Sequence, residues 1–481
     1  MGSAQPGQQG MRWGRRFIVL CASGVLIFGG YAVHRRSTVL AGIPVRPATA
    51  ALRPELVDEI AARENVARGF RHPGAGLAAL SRLYHANGFF REAIQGYETL
   101  EQLEPHEARW PHLHASILAG AGRIDEALPL WQQVIALAPD YLPARIRLGD
   151  ILTKANRRPE AIQAYAAALE RTPGNPYALL GLARNDLAQG DWSGARAHLE
   201  QAVRAGPDSI GAMSLLVTVY EHEGEPQGAR RLKELIGRKE FRDIPDPWLD
   251  ELIEDCYDSY RLSVAAAVAG LAGDTTTAQN YLERAVALSP ETASYRRQLG
   301  QLLLRQQSLA SARRHLEKAV AVAPEDSDAW LLLVEVQDAL NLPVEAERVL
   351  LAGLAACPQS AALHYAYGHR LSERGRPGPA IVELQAAKRL RPSEANAYVD
   401  LALVYFRLER IDDGIAEMRA ALAIQPGHPL ALQVLARHAI NRGDESAARQ
   451  WIQQLREQPR VSDADLSAIT GEYRQHFGRQ P

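Results

Sequence analysis

The stretch from Gly88 to Pro105, GFFREAIQGYETLEQLEP, contains the repeating unit that decides the fold. Stepping forward from Ala93 in intervals of 34 residues reaches a small residue every time, with one shift of register by 15 residues. These positions are Ala93, Ala127, Ala161, Ala195, Ala229 and then, after the shift, Ala278, Ala312, Ala346, Ala380, Gly414 and Ala448. Internal repetition at this period is typical of stacked helical repeats. The sequence therefore predicts eleven units, in residues 74–243 and 259–462.

A second small residue and a proline keep the same register. Twelve residues before the reference position, nine units have Gly, Ala or Ser, and twelve residues after it, nine units have proline. Apolar residues fall at helical spacing on both sides of a turn residue such as Gly88. Each unit is therefore predicted to be two antiparallel helices that cross closely where both carry a small residue and that end at the proline. Because one unit cannot cover both of its apolar faces, neighbouring units are expected to stack.

This pattern resembles the tetratricopeptide repeat. The signature positions are met by Trp330, Leu333, Leu148, Gly149, Tyr405, Ala161, Tyr165, Ala168 and Pro173. The resemblance implies an all-α fold, a right-handed superhelical solenoid of about eleven helix-turn-helix units. A capping helix is expected at each end: one at 54–69, within a linker at 34–73, and one at 463–477, opened by Ser462 and followed by a tail to residue 481.

The first 50 residues have a composition of their own. They carry six Arg and no Asp or Glu, and residues 17–33 contain no charged residue. A helix of that length spans roughly 25 Å, which is near the lower limit for crossing a bilayer. We predict a basic cytoplasmic tail at 1–16, a single-pass anchor at 17–33 in a bacterial inner membrane, and a periplasmic repeat body. Arginines on both sides of the anchor leave a cytoplasmic body as the alternative.

Composition and motifs argue against several classes of function. Beyond residue 50 the chain is mildly acidic, which disfavours general nucleic-acid binding. Its three cysteines form no C-x-x-C pair, and the sequence has no phosphate loop, metalloprotease motif or nucleophile elbow. His106, His112 and His114 could suggest a metal site, but residues two apart on a helix point to different sides, so ordinary polar surface is expected. We expect no enzyme activity, cofactor, metal or small-molecule substrate.

The resemblance also implies a binding face. In tetratricopeptide proteins the first helix of each unit lines a concave groove that binds peptides or partner helices, through unit positions 2, 5, 9, 12 and 13. In this sequence these positions give a basic set, which is Arg82, His85, Arg109, His112, Lys154 and Arg184. They also give an aromatic set, which is Tyr365, His369, Val399, Leu403, Phe406, Arg407, Arg437, Ile440 and Asn441. The alternatives are a solvated surface for the basic set and inter-repeat core for the aromatic set.

One segment, residues 244–258 (IPDPWLDELIEDCYD), interrupts the repeats. Pro245 and Pro247 prevent a continuous helix through it, whereas Trp248 to Tyr257 could form a short acidic helix. We expect an extended linker between repeats, with a hinge between two stacks or a partner-binding loop as alternatives.

The sequence as a whole predicts a membrane-tethered scaffold or adaptor. It would hold a partner protein or peptide in its groove and serve envelope assembly, secretion or export. Two alternatives remain at this stage. One is a cytoplasm-facing regulator that tethers a protease or biosynthetic enzyme, and the other is the non-catalytic subunit of an enzyme complex.

Overall fold

The computed structural model of the protein describes residues 30–48, 52–236, 244–458 and 461–481, and every regular element in these ranges is a helix. Residues 30–42 are helical. The helices that follow are α1 Pro54–Arg68, α2 Pro73–Ala86, α3 Phe90–Leu103, α4 Arg109–Gly120, α5 Ile124–Leu137, α6 Leu142–Lys154, α7 Arg158–Arg171, α8 Pro176–Gln189, α9 Trp192–Ala205, α10 Ile210–His222, α11 Pro226–Ile236, α12 Pro247–Asp250, a 3-10 helix Glu251–Asp255, and α13 Ser259–Leu271. They continue with α14 Thr275–Leu288, α15 Ala293–Arg305, α16 Leu309–Val322, α17 Ser327–Ala339, α18 Pro343–Ala356, α19 Ala361–Glu373, α20 Pro377–Leu390, α21 Ala395–Arg407, α22 Ile411–Ile424, α23 Pro429–Asn441, α24 Glu445–Arg456 and α25 Asp463–Phe477.

The 34-residue period is visible in the backbone. Between the two helices of each repeat, one residue adopts the left-handed conformation, and it occupies the same unit position in all eleven repeats of the described chain. Glycine adopts this conformation without steric cost, as Gly88 does with φ of +82°. At four repeats the residue is not glycine: Asn156, Gln307, Asn341 and Glu409. Since such a residue costs roughly 1–2 kcal/mol, the stacked repeats impose the turn geometry.

The small residue of the first helix lies under a large side chain of the second. A Cβ atom at Gly149 would lie 2.5 Å from the ring of Tyr165, and one at Gly300 would lie 2.6 Å from Cγ of Leu316. Each large side chain follows by four positions the small residue, such as Ala161, that sequence analysis paired with the glycine. That pairing is therefore corrected: Tyr165 and Leu316, both almost completely buried, fill the space that the missing Cβ leaves.

The chain divides into two compact units, residues 1–268 and 269–481. In the first unit, α1 and the helical residues 30–42 cover the first repeat. Val39 and Ile60 are at most 1% exposed and belong to the same apolar cluster as Leu80 of α2. The apolar face of the first repeat is thus shielded from water.

In the second unit, α25 covers the last repeat. Ser462 is its N-cap, the position that the sequence predicts, and its Oγ accepts a hydrogen bond from the backbone N–H of Asp465 at 3.1 Å. Ile469 and Tyr473 are completely buried in one cluster with Ile452 of α24. The closing helix therefore completes the core of its own unit.

The predicted membrane anchor lies mostly outside the described residues, which begin within it at residue 30. In the part of the chain that the structure describes, none of the helices combines the length and the apolar run needed to span a bilayer. The predicted all-α helical-repeat fold is confirmed. Membrane anchoring stays a prediction.

Candidate partner-binding site

Residues 244–258, here called the docked segment, pack against the first helices of the first three repeats. The segment forms α12 and then the 3-10 helix Glu251–Asp255. The backbone oxygen of Asp246 accepts hydrogen bonds from the N–H groups of Leu249 at 2.9 Å and Asp250 at 2.8 Å, and Pro247 occupies the first helical turn. The segment lies between two repeats in the sequence, and its side chains make long-range contacts with α2, α4 and α6 that sequence analysis did not expect.

The carboxylate of Asp246 is the centre of these contacts. Asp246 is completely buried. His112 Nε2 lies 3.0 Å from both carboxylate oxygens, the Tyr141 hydroxyl donates a hydrogen bond at 2.6 Å, and Arg147 Nε donates one at 2.6 Å. Burial by itself raises the pKa of this carboxyl, but the hydrogen bonds and charge of these partners outweigh it and lower the pKa to about 2. The groove therefore holds Asp246 as a buried carboxylate.

The indole of Trp248 is the second anchor of the docked segment. It stacks on the ring of Tyr141 with centroids 3.6 Å apart and planes at 13°, and it meets the His112 ring edge-on at 5.4 Å. Its backbone N–H donates to the Tyr141 hydroxyl at 3.2 Å. Burial and the hydrogen bond to Asp246 raise the pKa of Tyr141, so its hydroxyl keeps the proton that it donates. Tyr141 thus binds the carboxylate and the aromatic ring together.

A third contact lies nine residues after Asp246, at Asp255. Its carboxylate pairs with Arg82 at 3.2 Å and with Arg63 at 2.9 Å. The Asn87 side chain donates to the Asp255 backbone oxygen at 2.8 Å and accepts from the N–H of Tyr257 at 2.7 Å. This end of the segment is therefore held through both side chains and backbone.

Glu251, between the two buried acids, makes a weaker contact. It pairs with Arg109 at 3.1 Å, and its side chain is 45% exposed. An ion pair this accessible to solvent contributes roughly 0–1 kcal/mol. Glu251 therefore adds little to docking compared with Asp246.

The structure brings three members of the basic set into contact with the docked segment, namely Arg82, Arg109 and His112. Arg82 and Arg109 pair with its acids, and His112, expected to be ordinary polar surface, is instead completely buried. His85 is also buried and its Nδ1 lies 3.2 Å from the Tyr97 hydroxyl. Burial, together with the charge of Arg261, lowers the pKa of His85 to about 3, so His85 adds no positive charge near pH 7. The remaining members are exposed: Lys154 and Arg184.

Within the aromatic set, Tyr365 and His369 form a polar cluster. Their rings stack at 6.0 Å, and His369 Nδ1 lies 2.7 Å from a carboxylate oxygen of Asp400. Burial and the nearby Asp400 carboxylate raise the pKa of Tyr365. The His369 side chain is 49% exposed, so this cluster is open to solvent.

The other members of the aromatic set make contacts within the second unit. Leu403 and Phe406 pack against the apolar cluster that contains Val399 and Ile440. Arg407 Nη1 donates to the backbone oxygen of Ser372 at 2.7 Å, and Arg437 Nε lies 3.1 Å from Glu472 of α25. Asn441 is exposed. Whether these residues bind a partner stays a prediction.

Reasoning from the sequence missed Asp246, Trp248, Tyr141 and Arg147 as site residues. One signal was available, since residues 244–258 carry six acidic residues and no basic one while the basic set lies in the preceding repeats. Among the described residues, no three His, Cys, Asp or Glu side chains are grouped to hold a metal ion. The arrangement is suited to binding a carboxylate and an aromatic ring.

Comparison with known families agrees with this architecture. A family profile described as tetratricopeptide repeat matches residues 118–184, 156–218 and 303–369, and a second profile of the same description matches residues 266–313, 365–429 and 399–462. Together the two cover more than half of the chain. This chain is a tetratricopeptide-repeat protein. Repeats of this family generally mediate protein–protein interaction and are generally non-catalytic.

Curated relatives match over part of their length. Protein FlbA of Caulobacter vibrioides is 27% identical over 296 residues, which is 59% of this chain and 49% of that protein. The CTR9 homolog of Arabidopsis thaliana is 28% identical over 145 residues, 30% of this chain and 13% of that protein. The human protein O-mannosyl-transferase TMTC3 is 25% identical over 189 residues, 38% of this chain and 20% of that protein. The matches thus span less than half of each relative.

Solved structures with similar repeats include YrrB, PilW and yeast Tom70. YrrB, described as a TPR protein with an unusual peptide-binding site, is 21% identical and aligns 37% of this chain with 91% of its own at a TM-score of 0.30. PilW, a type IV pilus biogenesis factor, is 23% identical and aligns 39% of this chain with 86% of its own at a TM-score of 0.34. Yeast Tom70 is 14% identical and aligns 83% of this chain with 94% of its own at a TM-score of 0.37.

Proposed function

We propose that this tetratricopeptide-repeat protein is a membrane-tethered scaffold that binds a partner protein or peptide along the first helices of its repeats. The observation that carries the proposal is the docked segment. In the first unit, the groove residue His112 binds the buried carboxylate of a 15-residue stretch of the chain. Tyr141 and Asn87, outside the predicted groove positions, add a stacked indole and a backbone hydrogen bond. This contact within the chain supports the proposal that the same groove binds a peptide of a partner.

The aromatic set is the proposed site for the partner in the second unit. Tyr365 and His369 present a half-exposed aromatic and polar surface, and Arg407 and Asn441 are exposed on the following first helices. Tyrosine, tryptophan and arginine are enriched among the few residues that contribute most to binding energy in protein interfaces. In the basic set, Lys154 and Arg184 offer an exposed extension beyond the docked segment.

Membrane tethering belongs to the same proposal and is supported by the sequence. Residues 17–33 are uncharged and are bracketed by Arg15 and Arg16 before and Arg35 and Arg36 after. A periplasmic body would place the groove among envelope assembly, secretion or export machinery. Digestion of the repeats by protease in intact spheroplasts tests this topology; protection until lysis would favour the cytoplasm-facing regulator instead.

The groove assignment is tested by site-specific photocrosslinking in cells that express the full chain. A photoreactive amino acid is placed at residue 369 in the aromatic set, and at residue 382 as the control. Val382 lies on the second helix of the same repeat and is 61% exposed. The proposal predicts a crosslinked partner from position 369 but not from 382, and its loss in a Tyr365→Ala background. Equal crosslinking from both positions, or crosslinking that Tyr365→Ala leaves unchanged, would refute it.

A further inference from the structure

We propose that the groove of the first unit is a recognition site for an acidic partner segment, and that residues 244–258 occupy it in cis until such a segment displaces them. The ligand would carry an acidic residue, an aromatic residue two positions later and a second acidic residue nine positions after the first. This spacing is that of Asp246, Trp248 and Asp255. The inference rests on the proposed function, because it identifies the chemistry of one groove ligand.

The first requirement is a carboxylate at the position of Asp246. Three groups converge on it, namely His112 of α4, Tyr141 at the N-cap of α6 and Arg147 within α6. A neutral amide at this position would leave the cationic and hydroxyl donors imperfectly paired in a buried place. Sites built around buried polar groups reject ligands that lack the matching group far more strongly than apolar pockets reject a change of size.

The second requirement is an aromatic ring beside that carboxylate. The Tyr141 ring stacks on the Trp248 ring with centroids 3.6 Å apart, and the His112 ring contacts the indole edge-on. The third is an acid that reaches the arginines of the first repeat, where Asp255 contacts Arg82 and Arg63. Together they define a ligand with an anion at each end and an aromatic ring near the first.

Residues outside the docked segment make up most of the apolar core beneath it. Ile244 and Leu252 are the two buried residues that the segment adds to these clusters. Ala93, Ala127 and Ala161, on the second helices of the first three repeats, are all 0% exposed. The segment itself lies outside the 34-residue register. The groove is therefore expected to stay folded when the segment leaves, which is the condition for exchange with a partner.

Competition in cis sets the expected size of the effect. A segment tethered within the same chain acts at an effective concentration of about 1 mM. With a dissociation constant of about 10 μM for the same segment in trans, the tethered copy weakens binding of a free peptide about 100-fold.

The test measures binding of a fluorescein-labelled peptide with the sequence of residues 244–258 to the full chain. The wild type is compared with an uncovered variant, Asp246→Ala with Trp248→Ala, in which the cis segment has lost both anchors. We expect the peptide to bind the uncovered variant about 100-fold more tightly than the wild type. A control peptide with the same two substitutions is expected not to bind, and adding Arg147→Ala to the uncovered variant is expected to abolish binding of the wild-type peptide.

Circular dichroism checks that the uncovered variant is folded. Absence of peptide binding to a folded uncovered variant, or equal binding of the control peptide, would overturn the inference and identify the segment as a permanent brace. If the variant loses helical content, hydrogen exchange on the wild type shows instead whether a free peptide displaces the docked segment. Millimolar peptide should accelerate exchange of the amides in residues 244–258, and unchanged exchange would overturn the inference.

The two proposals fail separately. Loss of peptide binding with crosslinking at position 369 retained would remove only this inference. Peptide binding without crosslinking at position 369 would remove only the proposed site in the second unit.

Discussion

Replacing Asp246 with alanine should release the docked segment from the groove while leaving the repeats folded. The substitution removes the only carboxylate that His112, Tyr141 and Arg147 share in the described part of the chain. While the segment stays docked, His112 is 0% exposed and would be buried without its partner. Asp246 also forms an ion pair with Arg147 at 2.6 Å, and deleting one member of a buried ion pair costs about 3–5 kcal/mol. The lowered pKa of Asp246, about 2 against an ordinary 3.8, independently corresponds to about 2 kcal/mol.

The effect is measurable as local opening of the segment. Native-state hydrogen exchange reports the free energy of opening for each part of a chain, which suits a repeat protein whose unfolding need not be two-state. A loss of about 3 kcal/mol raises the open population of residues 244–258 by a factor of about 100 or more. The amides of Trp248 and Tyr257 are the reporters, because they donate to Tyr141 and Asn87 of the groove.

Glu251→Ala is the matched control. It removes a carboxylate from the same segment, but this carboxylate is 45% exposed and pairs with a partly exposed Arg109. Its loss should cost about 0–1 kcal/mol and change opening by about fivefold at most. Equal exchange in the two variants would refute the reasoning, because the buried carboxylate would then contribute no more to docking than a surface acid.

Three further predictions follow from the described contacts. Because the folded-state pKa of Asp246 is depressed, the stability that it contributes is present above about pH 4 and is lost as the pH falls through about 2. In urea denaturation, the difference in free energy of unfolding between wild type and Asp246→Ala should therefore shrink over that range. Gly181→Ala places a Cβ 2.3 Å from Tyr165 and should destabilise the first unit by about 1–3 kcal/mol in urea denaturation, whereas Gly120→Ala, with nothing within 4 Å, should not. Ser462→Ala removes the N-cap of α25 and should lower the free energy of opening of its first turn by about 1 kcal/mol; unchanged amide exchange there would contradict that role.

The repeat fold could be predicted because residues close in sequence determine each unit, and the same pattern then recurs along the chain. The step from Ala93 to Ala127 predicts the helix pairs, and Ser462 predicts the start of α25. Periodicity also predicts which residues share the face of a first helix, such as Tyr365 and His369, because residues four apart are neighbours on a helix.

The packing of residues 244–258 against the groove could not be predicted in the same way. His112 and Asp246 are 134 positions apart, and no period connects them. Their opposite charges were visible, but many acidic segments and basic faces in a chain never meet. The partners of predicted residues were missed for the same reason, as with Asp400 beside His369 and Glu472 beside Arg437.

The location of residue 248 in the full-length chain tests the central claim most directly, since the account depends on the groove holding this segment. Trp248 is replaced by the photoreactive aromatic p-benzoylphenylalanine, the purified protein is irradiated, and crosslinked peptides are mapped by mass spectrometry. The account predicts intrachain crosslinks to the stretch that contains His112, Tyr141 and Arg147. Crosslinks confined to residues adjacent in sequence, or none at all in a folded protein, would contradict it.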